Sequence, residues 1–132
     1  MKRIPLIALQ KAIYEALTQY QTTPVYDDVP SEAELPYITF GAFTAKSVST
    51  KVNDISEISL QLHIWSEYEG KSEVNEIAND VITVLSVVKA NLNADKFTVM
   101  SQEIDFFEAF PGEEAGYHGV ITLVCKIQNL NN

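Results

Sequence analysis

The chain has 132 residues, 46% hydrophobic and 20% charged, with a formal net charge of −9. That size and balance suit a single domain over residues 1–132, with a core large enough to need no metal or disulfide staple, and the single cysteine, Cys125, has no internal partner. The acidic balance argues against a broad nucleic-acid-binding face, which requires an excess of Lys and Arg, and no stretch approaches the length of a membrane span.

Met1-Lys2-Arg3 and the apolar Ile4–Leu9 resemble the start of a leader, but the run is short, meets Gln10-Lys11 and lacks a small-residue cleavage site, so export is not expected. A first helix is predicted over about Pro5–Tyr20, with Leu6, Leu9, Ile13, Ala16 and Leu17 on one stripe. Pro5 suits a first turn and Pro24 blocks continuation. Val25-Tyr26 reads as a short strand and Asp27–Ser31 as a loop rich in turn formers. A second strand is predicted over Tyr37–Thr44 with Ile38 and Phe40 inward, and Gly41 marks a bulge or a close backbone approach.

Ala45–Asp54 has few large apolar groups and carries Lys46 and Lys51, two of the nine basic residues. It reads as a long exposed hairpin loop, a kind of segment that is often functional. In the strand that follows, Ile58, Leu60, Leu62 and Ile64 face a core while Ser59, Gln61, His63 and Trp65 face the other way. Trp65 is a possible partner anchor. Ser72 is the expected N-cap of a second helix, whose stripe is Val74, Ile77, Ala78, Val81, Ile82, Leu85 and Val88. Asn91 or Asn93 is expected to supply a left-handed cap. A strand from Lys96 to about Phe110 places Phe97, Val99, Ser101, Glu103 and Asp105 on one face. Since neither face is purely apolar, a bulge near Ser101 is expected to change the register. After the turn Pro111–Gly116, a last strand over Tyr117–Gln128 turns Ile121, Leu123, Cys125 and Ile127 to the core, and the tail from Leu130 to Asn132 is expected to fray.

These residues assemble no catalytic constellation. Cys125 alternates with aliphatic neighbours and reads as a small core residue rather than the partner of His63 or His118. Glu103, Asp105 and Glu108, or Asp27 and Asp28, would have to converge to bind a metal, and no zinc or calcium spacing is present. Gly112 and Gly116 flank acidic residues that would repel phosphate. No cofactor and no resident metal are expected, and composition and spacing together give an acidic α+β domain.

Several segments carry a family likeness: Tyr26-Asp27-Asp28-Val29-Pro30, Leu35-Pro36-Tyr37-Ile38, His63-Ile64-Trp65-Ser66, Gly70 with Glu73-Val74 and Ile77-Ala78, and Tyr117-His118-Gly119-Val120. In this order and spacing the chain resembles the tail-completion proteins of long-tailed bacteriophages, also called tail terminators or tail-to-head joining proteins. The resemblance implies a two-layer α+β fold, with a mainly antiparallel sheet and two helices packed on one face. It implies a structural, non-enzymatic role in the virion, as a hexameric ring that caps the head-proximal end of the tail tube and meets the head connector or stopper protein. Implied partners are that connector, the tail tube protein and other copies of the chain, some members being monomeric until they dock. Tight nucleic-acid binding and membrane contact are not implied. Beside that role, Lys46, Lys51, Trp65, Glu103 and Asp105 are the expected contact residues, and Glu103, Asp105, Glu108, Glu113 and Glu114 are suited to line a channel that must not grip DNA. Two other classes are kept open: an acidic binding or inhibitor module that mimics nucleic acid, and a small enzyme using the Glu103/Asp105 region.

Overall fold

The structure, a computed structural model, describes residues 3–130; the expected fraying of Asn131 and Asn132 lies outside them. The elements in order are α1 (Leu6–Tyr20), β1 (Val25–Tyr26), β2 (Tyr37–Ser47), β3 (Asp54–Ser66), α2 (Ser72–Val87), a 3-10 turn (Asn93–Asp95), β4 (Phe97–Pro111) and β5 (Tyr117–Asn129). The strands form one sheet in the order β1-β2-β3-β5-β4. Only β1 and β2 run parallel; the other neighbours are antiparallel. This is the expected two-layer α+β architecture.

The aliphatic alternation dictates the layers. Ile58, Leu60, Leu62 and Ile64 of β3 are completely buried, as are Ile121, Leu123 and Cys125 of β5, with Ile127 nearly so. They share one core with Leu9, Ile13 and Leu17 of α1 and Val74, Ile77, Ala78, Val81, Val84 and Leu85 of α2. Both helices therefore cover one face of the sheet, the face to which β3 and β5 turn the alternating residues Ile58 to Ile64 and Ile121 to Ile127.

Four expectations change. First, Ala45–Asp54 is not one loop. β2 runs on to Ser47 and β3 begins at Asp54, leaving residues 48–53 as the connection. The ladder there consists of polar pairs, Lys46 opposite Glu57 and Ser47 opposite Ser56, so apolar periodicity does not reveal it. Lys46 Nζ lies 3.6 Å from Glu57 Oε1, an exposed lysine against a half-buried carboxylate and a pair of small energetic weight.

Second, Ser72 is the first residue of α2 rather than its N-cap. Lys71 stands at the cap and offers no side-chain bond. The serine that organises this end is Ser66, whose Oγ donates to Glu73 Oε1 (2.7 Å) and accepts from the Tyr68 N–H (3.2 Å).

Third, the C-terminal end of α2 has no left-handed Asn. Val88 is extended, and the only non-glycine residue with positive φ among those described is Lys96 (φ 60°). The helix end is instead satisfied from the sheet. Gln102 Nε2 donates to the Leu85 and Val88 carbonyls (2.9 and 3.0 Å), and its Oε1 accepts from the Ala90 N–H (2.9 Å). Val84, absent from the predicted stripe, is buried.

Fourth, β4 carries two register shifts, one between Val99 and Ser101, as expected, and one between Ile104 and Phe106. Met100 and Asp105 are the extra residues. Each shift turns the alternation over, so the helix-facing set becomes Phe97 and Val99, then Gln102 and Ile104, then Phe107 and Ala109. Glu103 and Asp105 thus do not belong to a common face with Val99. At the other end of the chain, Arg3 ties its segment to the sheet: its backbone N–H reaches Asp54 Oδ2 (3.1 Å), its Nε reaches Asn129 Oδ1 (3.0 Å), and its guanidinium lies over the Phe97 ring.

Candidate functional site

The face of the sheet turned away from the helices carries the side chains that the core does not use. Strand register brings them together in rows. Tyr37 pairs with Trp65, Trp65 with His118, and His118 with Phe110. One row further along, Thr39 pairs with His63, His63 with Val120, and Val120 with Glu108. The result is an aromatic shelf at the end of the sheet where β3 finishes.

The shelf is tightly connected. Trp65 stacks on His118 at 3.9 Å between ring centroids, and Phe110 meets the same imidazole at 4.9 Å. Trp65 Nε1–H donates to Thr39 Oγ1 (2.9 Å). His63 Nδ1 lies 2.7 Å from His118 Nε2, so one ring supplies the proton and the other accepts it. Burial lowers the pKa of His63; burial, and then the neighbouring His63, lowers that of His118. Gly41 makes room for the His63 ring: a Cβ there would stand 2.2 Å from His63 Nε2. The β2 register shift between Phe40 and Phe43 sits at this glycine, as its mid-strand position led us to expect.

Beside the shelf lies a cleft of about 430 Å³ whose walls include Leu35, Tyr37, Trp65 and Phe110 and whose rim includes Glu113 and Glu114. The rim belongs to the β4–β5 turn. Gly116 sits there at φ +74°, and a Cβ on it would stand 2.0 Å from the Ser66 carbonyl oxygen, so glycine is required for the turn to lie against the end of β3.

Among the described residues no hydroxyl or thiol hydrogen-bonds to the histidine pair. Cys125 is fully buried on the helix-facing side, where burial pushes its thiol up to about 12. Among the described residues no three His, Cys, Asp or Glu side chains converge as a metal site. The shelf and cleft offer aromatic surface, imidazole and two carboxylates.

The sequence-predicted contact residues are spread over the molecule. Trp65 lies on the shelf and is 37% exposed. Lys51 stands in the β2–β3 connection, at the opposite end of β3. Lys46 is drawn to Glu57. Glu103 stands on the open face opposite Val124, and Asp105 occupies the second bulge. His118, Phe110 and Tyr37 were not singled out as contacts. The signal for them is the β3–β5 register, which places His118 directly opposite Trp65 and which no local pattern specifies. Thr122, also on this face, is buried with its Oγ1 unpartnered.

No curated protein sequence matches the chain. In structure it is similar to a chain from the virion of a native gene transfer agent (GTA) particle, with a TM-score of 0.80 at 17% identity, covering 93% of this chain and 96% of that one. It is also similar to the gp17 protein of bacteriophage SPP1, with a TM-score of 0.62 at 20% identity, covering 98% of this chain and 96% of that one. Identities this low speak for the fold alone. The family model described as "Tail completion protein gp17" matches residues 8–127, from α1 into β5, and the chain belongs to that family.

Proposed function

We propose that the chain is a structural virion protein that caps the head-proximal end of a phage tail tube as a hexameric ring and joins the tail to the head connector. The observation that carries this reading is the family match over residues 8–127. In this reading its partners are the connector or stopper protein, the tail tube protein and further copies of itself. On the same reading the chain passes through the host cytoplasm during assembly and forms the ring when assembled. No catalysis is involved.

The surface chemistry supports the reading. Lys46, Lys51, Trp65, Glu103 and Asp105 are the proposed contact residues. On β4, Glu103, Asp105 and Glu108 suit a channel wall that repels passing DNA. A ring of this kind uses head-to-tail contacts, which close when the rotation per copy divides the circle.

The test is electron microscopy of lysates from a phage carrying a stop codon in this gene, with purified protein added back. Separate DNA-filled heads and unattached tails that join on addition are the expected result, and abnormally long tubes would add length control. Normal joined virions without the protein would remove the reading and leave an acidic binding module as the alternative.

A further inference from the structure

We infer that copies of the chain contact one another by a plug and a socket: the Lys51-Val52 tip of one copy seats in the cleft between Trp65, Phe110 and the Glu113-Glu114 rim of the next. This rests on the ring reading above and names the surfaces that would build it.

The plug pairs an apolar side chain with a basic one at a hairpin tip. Val52 is 83% exposed, at the tip of a hairpin, with Lys51 beside it. The tip is held in shape by its own bonds. Thr50 Oγ1 accepts from the Asn53 N–H (3.0 Å), Ser49 Oγ accepts from the Ile55 N–H (2.9 Å), and the Thr50 N–H reaches the Asn53 carbonyl (3.0 Å). A rigid loop loses little freedom on docking.

The socket matches it in two ways. Leu35, Tyr37, Trp65 and Phe110 offer an apolar recess for a valine, and no Lys or Arg lines the cleft. Glu113 and Glu114 on the rim, with the faces of Trp65 and Phe110, suit an ammonium group. The two surfaces also lie at opposite ends of β3, whose 13 residues span roughly 40 Å at about 3.3 Å per residue. Plug and socket therefore cannot meet within one chain. Each copy offers one of each, and a closed ring leaves none unused.

The test places cysteines on both sides, Val52→Cys and Ala115→Cys in one chain, Ala115 being an exposed residue of the cleft. The native Cys125 is buried and stays silent. The protein is assembled on the tail tubes of its own phage and oxidised. A ladder of covalent oligomers ending in a closed ring is expected, absent from either single variant. As a second measurement, Lys51→Glu alone and Glu113→Lys with Glu114→Lys alone should each lose ring formation while keeping the wild-type melting temperature, and the three changes together should restore it. Capped tubes with no ladder, and charge variants that assemble like wild type, would overturn the plug and socket but leave the ring intact. Tubes never capped by the wild-type protein would overturn the ring reading itself.

Discussion

His63 and His118, 55 residues apart in sequence, share a ring-to-ring hydrogen bond of 2.7 Å across the β3–β5 ladder. With a single N–H between them, the two rings cannot both be charged without losing that bond, and burial disfavours the charged form of each. Both pKa values are thus depressed relative to the unfolded chain, where imidazole titrates near ~6.5. The unfolded state binds more protons in the window between the unfolded and folded values, so stability rises with pH there. The contribution of the pair is complete above about pH 6.5 and is lost as pH falls toward the folded values. Imidazole resonances followed by NMR should titrate below that point in the wild type. A melting series should show a shallower loss on acidification in a His63→Asn/His118→Asn double variant.

Gly41→Ala should destabilise the protein by about 1–3 kcal/mol, the usual range for forcing an added carbon into a packed site. The new Cβ would enter the His63 ring. Removing the ring relieves that conflict, so Gly41→Ala combined with His63→Ala should cost less than the sum of the two single changes. Urea denaturation of all four forms checks this, and strict additivity would show that the two positions do not meet.

Gln102 closes the end of α2 from another element, with three hydrogen bonds to Leu85, Val88 and Ala90. Gln102→Ala should cost about 1–3 kcal/mol by leaving these backbone groups unpaired. Gln102→Glu is the sharper test. An ionised carboxylate cannot donate to two carbonyls and faces the negative end of the helix. That variant should be least stable at neutral pH and recover part of the loss as the carboxyl is protonated on acidification.

The Thr122 hydroxyl is buried without a partner. Thr122→Val removes the unmet group and keeps the shape, and should be neutral or stabilising by up to about 1 kcal/mol. A lower midpoint in denaturant would point to a bond that the hydroxyl makes.

Cys125 should resist alkylation in the native protein and react at once in denaturant, because its thiol is fully buried and its pKa is pushed up to about 12. Mass spectrometry after brief iodoacetamide treatment under both conditions reads this directly. It also confirms that introduced cysteines can be oxidised without interference.

The parts of the fold legible in the sequence are those where one apolar period dominates. β3 and β5 place aliphatic groups at every second residue, so their core faces could be written down residue by residue. Gly41 and the mixed character around Ser101 revealed two of the irregularities. What could not be read depends on groups distant in sequence. The Lys46–Glu57 end of the β2–β3 hairpin has no apolar signal. The cap of α2 comes from Gln102, on a different strand. The second β4 shift, at Asp105, becomes visible only against Phe106 opposite Thr122 and Phe107 opposite Ile121. Of the site, Trp65 was legible as an unusual residue on an open face. The shelf around it was not, because His118 and Phe110 reach it through strand pairing.

The two irregularities of β4 matter beyond register. β4 closes one side of the sheet, with β5 as its only neighbour among the described residues. A straight, 15-residue outer strand would be a template on which another chain could zip up through its backbone, the first step toward aggregates. Met100 and Asp105 interrupt that template twice and put a carboxylate at one of the breaks. Each break denies an incoming strand a continuous ladder and so opposes fibril-like stacking. Deleting both residues to regularise the strand should yield a chain that is harder to keep soluble.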